Sequence, residues 1–176
     1  MSAFTRCAAT AALLSVGLIG ASAYGHITLE TQSAAADGSY KAVFRVPHGC
    51  EGTATVRLRI RIPEGVTNVK PQPKPGWTVS TVMEKLSTPL TLDHGRTVTE
   101  TVREVDWSGG KLRDDFYDEF VFRAELPDKP GTTIYFPVVQ ECEKGINRWI
   151  EIPETGAVSG ESREPAPQLK LVPRNR

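Results

Sequence analysis

Residues Thr55 to Pro63 read TVRLRIRIP, and the alternation in this stretch decides the fold. In an extended chain successive side chains point to opposite sides, so Arg57, Arg59 and Arg61 share one face while Leu58, Ile60 and Ile62 share the other. The same two-residue period returns in YKAVFRV (40–46), TVTETVREVDW (97–107), DEFVFRAEL (118–126) and TTIYFPVVQE (132–141), and briefly in RWIEIP (148–153). Between these runs RIPEGV, KPQPKPGW, LPDKPG and IPETG carry the proline and glycine of turns, and no long segment holds a helical period. Several short strands, each apolar on one side, predict an all-β fold: an antiparallel β-sandwich that buries those faces between two sheets.

The composition agrees with one folded domain. Of 176 residues, 24% are charged and 7% aromatic, with a formal net charge of +0, which argues against disorder. A balanced charge also lacks the basic face that phosphate binding needs, so nucleic acid is not an expected partner. There is no internal repeat and no sign of a second domain.

The opening 25 residues, MSAFTRCAATAALLSVGLIGASAYG, stand apart from this pattern. Arg6 supplies a positive charge, Cys7 to Gly20 an apolar stretch and the residues after it small side chains, the three-part layout of a secretory signal. The apolar run is too short to span a membrane and no later segment is long enough, so an exported protein without a membrane anchor is expected. Two cleavage sites compete: Ala21-Ser22-Ala23 leaves Tyr24 first, and Ala23-Tyr24-Gly25 leaves His26 first. Local sequence does not choose between them. At the other end, SGESREPAPQLKLVPRNR is polar and proline-rich before the short pattern LKLV, which either docks as an edge strand or stays loose. The chain therefore divides into a leader (1–25), a β-sandwich domain (26–160) and a tail or edge strand (161–176).

Cys7 leaves with the leader, and in an oxidising compartment the remaining pair, Cys50 and Cys142, is expected to form one disulfide. A bridge holds its Cα atoms within about 7 Å, so VPHGCEG (46–52) and VVQECEKG (138–145) must lie side by side. Closing a loop of roughly ninety residues contributes about 4 to 5 kcal/mol on the chain-entropy account.

Little in the chain serves a hydrolase, since it shows no Ser-His-Asp or paired-carboxylate signature. Bridged cysteines do not ligate metals, which leaves imidazole, carboxylate and an amine, donors suited to Cu(II) in a tetragonal arrangement. If the chain begins at His26, its α-amine and ring Nδ1 reach one ion together and the second donor is already in place when the first binds. If it begins elsewhere, His26 is a solvated residue entering the first strand.

GHITLE, VPHGCEGTATVRLRIRIPEGV, PKPGWTV, DDFYDEFVFRAELP and QECEKGINRWIEIP together resemble the YcnI-like family of exported copper-binding domains, over nearly all of the mature chain. The resemblance implies a sandwich of the fibronectin type III or cupredoxin-like kind that holds Cu(II) in a single-histidine brace. On this chain the brace histidine is His26, the carboxylate that completes the site is Glu51 and the neighbouring tryptophan is Trp149. An indole nitrogen only donates, so Trp149 would shield the ion rather than bind it. The resemblance also resolves the cleavage in favour of a cut before His26. His48 reads as a turn residue after Pro47, with a second imidazole ligand as the alternative. Glu119 is a reserve carboxylate on an alternating strand, His94 a turn residue, and Trp77 and Trp107 structural.

The expected function is binding rather than catalysis: a freely diffusing periplasmic protein that captures Cu(II) and passes it to, or stores it for, other copper proteins. Its partners would be the copper ion, periplasmic copper chaperones or membrane copper transporters. Two other readings stand beside it. A copper oxidase acting on polysaccharide would need His48 or His94 as a second ligand, and an exported interaction domain would need no metal.

Overall fold

The computed structural model describes residues 25–91, 95, 97–153 and 164–174. Its strands are β1 (Thr28–Leu29), β2 (Ser33–Ala35), β3 (Ser39–Val46), β4 (Thr55–Arg61), β5 (Thr67–Pro71), β6 (Thr78–Thr91), β7 (Thr97–Leu112), β8 (Asp118–Glu125), β9 (Thr133–Tyr135), β10 (Val138–Cys142), β11 (Ile146–Trp149) and β12 (Gln168–Val172). They form a four-stranded sheet ordered β1-β3-β8-β5, a five-stranded sheet ordered β11-β10-β4-β7-β6 and a three-stranded sheet ordered β2-β12-β9. This is the expected β-sandwich. Among the described residues no helix is long and apolar enough to cross a membrane.

β4 behaves as its alternation requires. Leu58 and Ile60 are buried and meet Val105, Trp107 and Val138 of their own sheet and Phe44, Phe120 and Phe122 of the facing one, in a single core. On the outer face, in-register neighbours are Arg57 with Glu141, at 3.9 Å, and Arg59 with Asp106, yet the shortest ion pairs run diagonally. Arg57 forks onto Asp106 (Nη2 to Oδ2 2.7 Å) and Arg59 reaches Glu141 (2.8 Å), within the span that long side chains bridge across a sheet.

Two features differ from the expectation. The segment expected as a tail or edge strand forms β12, which is the middle strand of the third sheet, antiparallel to β9 and parallel to β2. Leu169 and Leu171 both point into the core, and that burial holds β12 between two neighbours instead of at an edge. The second feature is β6, a long strand exposed on both faces that is held mainly by its register with β7.

The Cys50–Cys142 disulfide forms, with its Cα atoms 5.8 Å apart. It ties the turn before β4 to the end of β10 and so sets VPHGCEG against the β10–β11 hairpin. Cys50 and Thr53 close this turn with reciprocal backbone hydrogen bonds, Thr53 N to Cys50 O at 2.8 Å and Cys50 N to Thr53 O at 3.1 Å. Both central residues, Glu51 (φ 49) and Gly52 (φ 76), are left-handed, as a two-residue primed turn demands.

Candidate functional site

His26 stands one residue ahead of β1. Ile27 and Leu29 on either side of Thr28 are buried, and β1 is fixed by pairing Thr28 with Arg45 and Leu29 with Phe44 of β3. Strand alternation then directs His26 away from the core, and it is exposed. Its ring nevertheless has a partner. It meets Trp149 edge to face, with centroids 5.5 Å apart and planes at 84°.

Trp149 is the last residue of β11 and is 3% exposed. Its Nε1 donates to Oε1 of Gln140 at 3.0 Å. Gln140, on the inward face of β10 and fully buried, also accepts from Asn147 Nδ2 (3.4 Å) and donates through Nε2 to Thr55 Oγ1 (2.8 Å) and to the backbone carbonyl of His48 (2.7 Å). All four of its hydrogen-bonding positions are thus used. One buried amide therefore fixes both the indole that backs His26 and the loop that carries His48.

His48 is half-buried. Its Nδ1 faces the carbonyl of Gly49 (2.5 Å) and its Nε2 the carbonyl of Gly25 (2.7 Å), the residue joined to His26. Gly49 cannot be larger, because a Cβ there would sit 1.8 Å from the carbonyl oxygen of Thr53. Its N–H donates to Asp114 Oδ1 at 2.9 Å.

The structure brings the rings of His26 and Trp149 together. Glu51 lies at the tip of its turn, with its carboxylate within 4 Å of where a Cβ on Gly145 would sit. Gly145 directly precedes β11. No group of three His, Cys, Asp or Glu side chains converges to hold a metal among the described residues. Glu119 is engaged elsewhere: its Oε1 accepts from the hydroxyl of Tyr117 at 2.5 Å. Desolvation first, and the Glu119 hydrogen bond second, push the Tyr117 phenol up to about 12. Trp107 is buried and donates to Gln72 O, and Trp77 packs on Phe120 and over Gly110, so both serve the core. Residues 1–24 of the expected leader, and His94, lie outside the described residues.

Sequence reasoning missed Gln140, although a signal was present. Val138, Gln140 and Cys142 share the inward face of β10, and an amide among apolar neighbours must find partners or forfeit its hydrogen bonds to water.

Fold and site together define an immunoglobulin-like β-sandwich with an exposed histidine seated on a buried, hydrogen-bonded tryptophan. The chain belongs to the DUF1775 family, described as a domain of unknown function, whose sequence model matches residues 26–171 and which includes the YcnI-like domains. Among solved structures it is similar to an uncharacterized protein from Nocardia farcinica with an immunoglobulin-like fold, at 27% identity and a TM-score of 0.63 over 84% of this chain and 98% of that one. No curated protein matches the chain.

Proposed function

We propose that this protein is exported, cut before His26, and captures Cu(II) in the periplasm for delivery or storage. The α-amine and Nδ1 of His26 chelate the ion, and Trp149 walls one side of it. The observation that carries this reading is the seating of an exposed imidazole edge-on against an indole that is itself locked to Gln140. Placement of that kind is an ordered arrangement around a donor, and ordering of donors by surrounding hydrogen bonds strengthens a metal site.

Two further observations support the amine as a donor. The family match begins at His26. With no cluster of three ligating side chains among the described residues, a site at His26 must draw on the backbone, and a free α-amine supplies the missing nitrogen. Imidazole and amine are donors that Cu(II) accepts well. The disulfide suits an oxidising compartment. Copper here is cargo: a chelate that fills only part of its coordination leaves positions through which a receiving protein's donors displace the ion. Glu51, on the turn that the disulfide ties to the end of β10, would be the carboxylate of this site.

The test is to purify the exported form, read its first residue by mass spectrometry, and titrate Cu(II) against it and His26→Ala. The proposal expects His26 first and a loss of at least about a hundredfold in affinity, roughly 2.7 kcal/mol, in the variant. Equal binding by both proteins would overturn it.

A further inference from the structure

We infer that His48 is a further copper ligand, with Nε2 completing a three-nitrogen set together with the amine and ring of His26. The inference rests on the cut before His26 proposed above. In the uncut chain, His48 Nε2 lies 2.7 Å from the carbonyl oxygen of Gly25, and that carbonyl carbon is bonded to the nitrogen of His26. The oxygen and nitrogen of one peptide group are about 2.3 Å apart, so the imidazole nitrogen lies within about 5 Å of the nitrogen that becomes the mature amine. Two nitrogens on opposite sides of one metal ion are about 4 Å apart, twice a bond of roughly 2 Å. The two separations match to within an ordinary side-chain adjustment.

The chemistry of the ring supports the same assignment. A neutral imidazole donates from one ring nitrogen and presents a lone pair at the other. Both nitrogens of His48 face carbonyl oxygens before the cut, Nδ1 that of Gly49 and Nε2 that of Gly25. Cleavage removes the Gly25 carbonyl and puts the α-amine in its place. Nδ1–H then donates to Gly49 O, and the Nε2 lone pair is directed at the amine and at any ion the amine holds. A backbone carbonyl accepting from the second nitrogen is the usual support of a metal-bound histidine.

The surrounding structure holds the ring there. Gln140 donates to the backbone carbonyl of His48 at 2.7 Å while accepting from Trp149, so the two walls of the site share one buried anchor. Pro47 packs against residue 25: a Cβ on Gly25 would lie 3.0 Å from Pro47 Cγ and 3.7 Å from His48 Cδ2. Glu51, three residues further on, has its carboxylate beside Gly145.

The experiment uses the mature disulfide-bonded protein beginning at His26, loaded with one equivalent of Cu(II). Pulsed electron paramagnetic resonance counts coordinated imidazoles through their remote nitrogens, and the inference expects two in the unaltered protein. His48→Gln should show one and bind Cu(II) about tenfold or more weakly, with circular dichroism and the disulfide unchanged. One imidazole in the unaltered protein, with binding that still needs the amine, would overturn the role of His48 and leave the proposed function intact. Copper binding that does not need His26 would overturn both. Because the imidazole count is taken on the unaltered protein, the test holds even if His48→Gln fails to fold.

Discussion

The indole nitrogen of Trp149 donates to Oε1 of Gln140 at 3.0 Å, and the same glutamine donates to the carbonyl of His48 at 2.7 Å. Replacing Gln140 by Leu keeps the volume roughly constant and leaves the buried indole N–H of Trp149 without its acceptor. Such an orphan costs on the order of 1 to 3 kcal/mol, so Gln140→Leu should lose about that much in urea unfolding. Copper affinity should fall as well, because both walls of the site lose their anchor. An unfolding midpoint unchanged from the parent would show that the network contributes nothing.

Glu51 sits at a left-handed backbone position (φ 49) that asparagine or glycine occupies with less strain. Glu51→Asn should therefore leave stability unchanged or raise it by up to about 1 kcal/mol. If Glu51 ligates copper, Glu51→Gln weakens binding by an intermediate factor; if His48 is the third donor, Glu51→Gln binds like the parent. Calorimetric titration of both variants beside thermal unfolding separates the backbone effect from the ligand effect.

Gly49 allows no side chain, since a Cβ would meet the Thr53 carbonyl oxygen at 1.8 Å. Gly49→Ala must open the turn that carries Cys50 and Glu51. Slow or incomplete formation of the Cys50–Cys142 bridge is the expected outcome, measured by thiol titration during refolding. Gly52→Ala, with nothing within 4 Å of its Cβ and only the positive φ against it, should oxidise normally and lose about 1 kcal/mol.

Tyr40 contributes to the alkaline limit of the fold. Its buried hydroxyl donates to Thr31 O at 2.6 Å, and burial first, then the charge of Glu30, raise its phenol above the ordinary value of 10.0. A raised folded value means the fold favours the protonated form. Its contribution is complete below pH 10 and is lost as pH rises toward the folded value, at up to about 1.4 kcal/mol per pH unit. Denaturant unfolding between pH 9 and 11.5 should therefore show a shallower decline for Tyr40→Phe than for the parent, even though the variant starts from lower stability. Parallel declines would contradict the assignment.

The residues show which parts of this fold could be read in advance. Leu58, Ile60 and the arginines between them announce β4, because period-two burial leaves a trace in every second residue. The Cys50–Cys142 pair follows from the expected compartment and the count of cysteines. β6 was not legible, since Thr78–Thr91 is exposed on both faces and leaves no apolar stripe. Nor was the parallel pairing of β12 with β2, because Ser33–Ala35 carries little strand signal and its partner lies more than 130 positions away in sequence. At the site, His26 and Trp149 follow only from the resemblance, and in the structure their rings meet at 5.5 Å. Gln140 is hard to read in advance because a single inward amide looks like a break in the pattern; in the folded protein it is the anchor.

The central claim is that the α-amine of His26 is a copper ligand, and the most direct measurement compares Cu(II) affinity of the protein beginning at His26 with that of the same protein acetylated at that amine. Acetylation keeps every side chain, converts the amine into an amide and adds no new amine. The account predicts a loss of at least about a hundredfold in the acetylated form, roughly 2.7 kcal/mol, with the fold and the disulfide intact. Equal affinities in the two forms would contradict it.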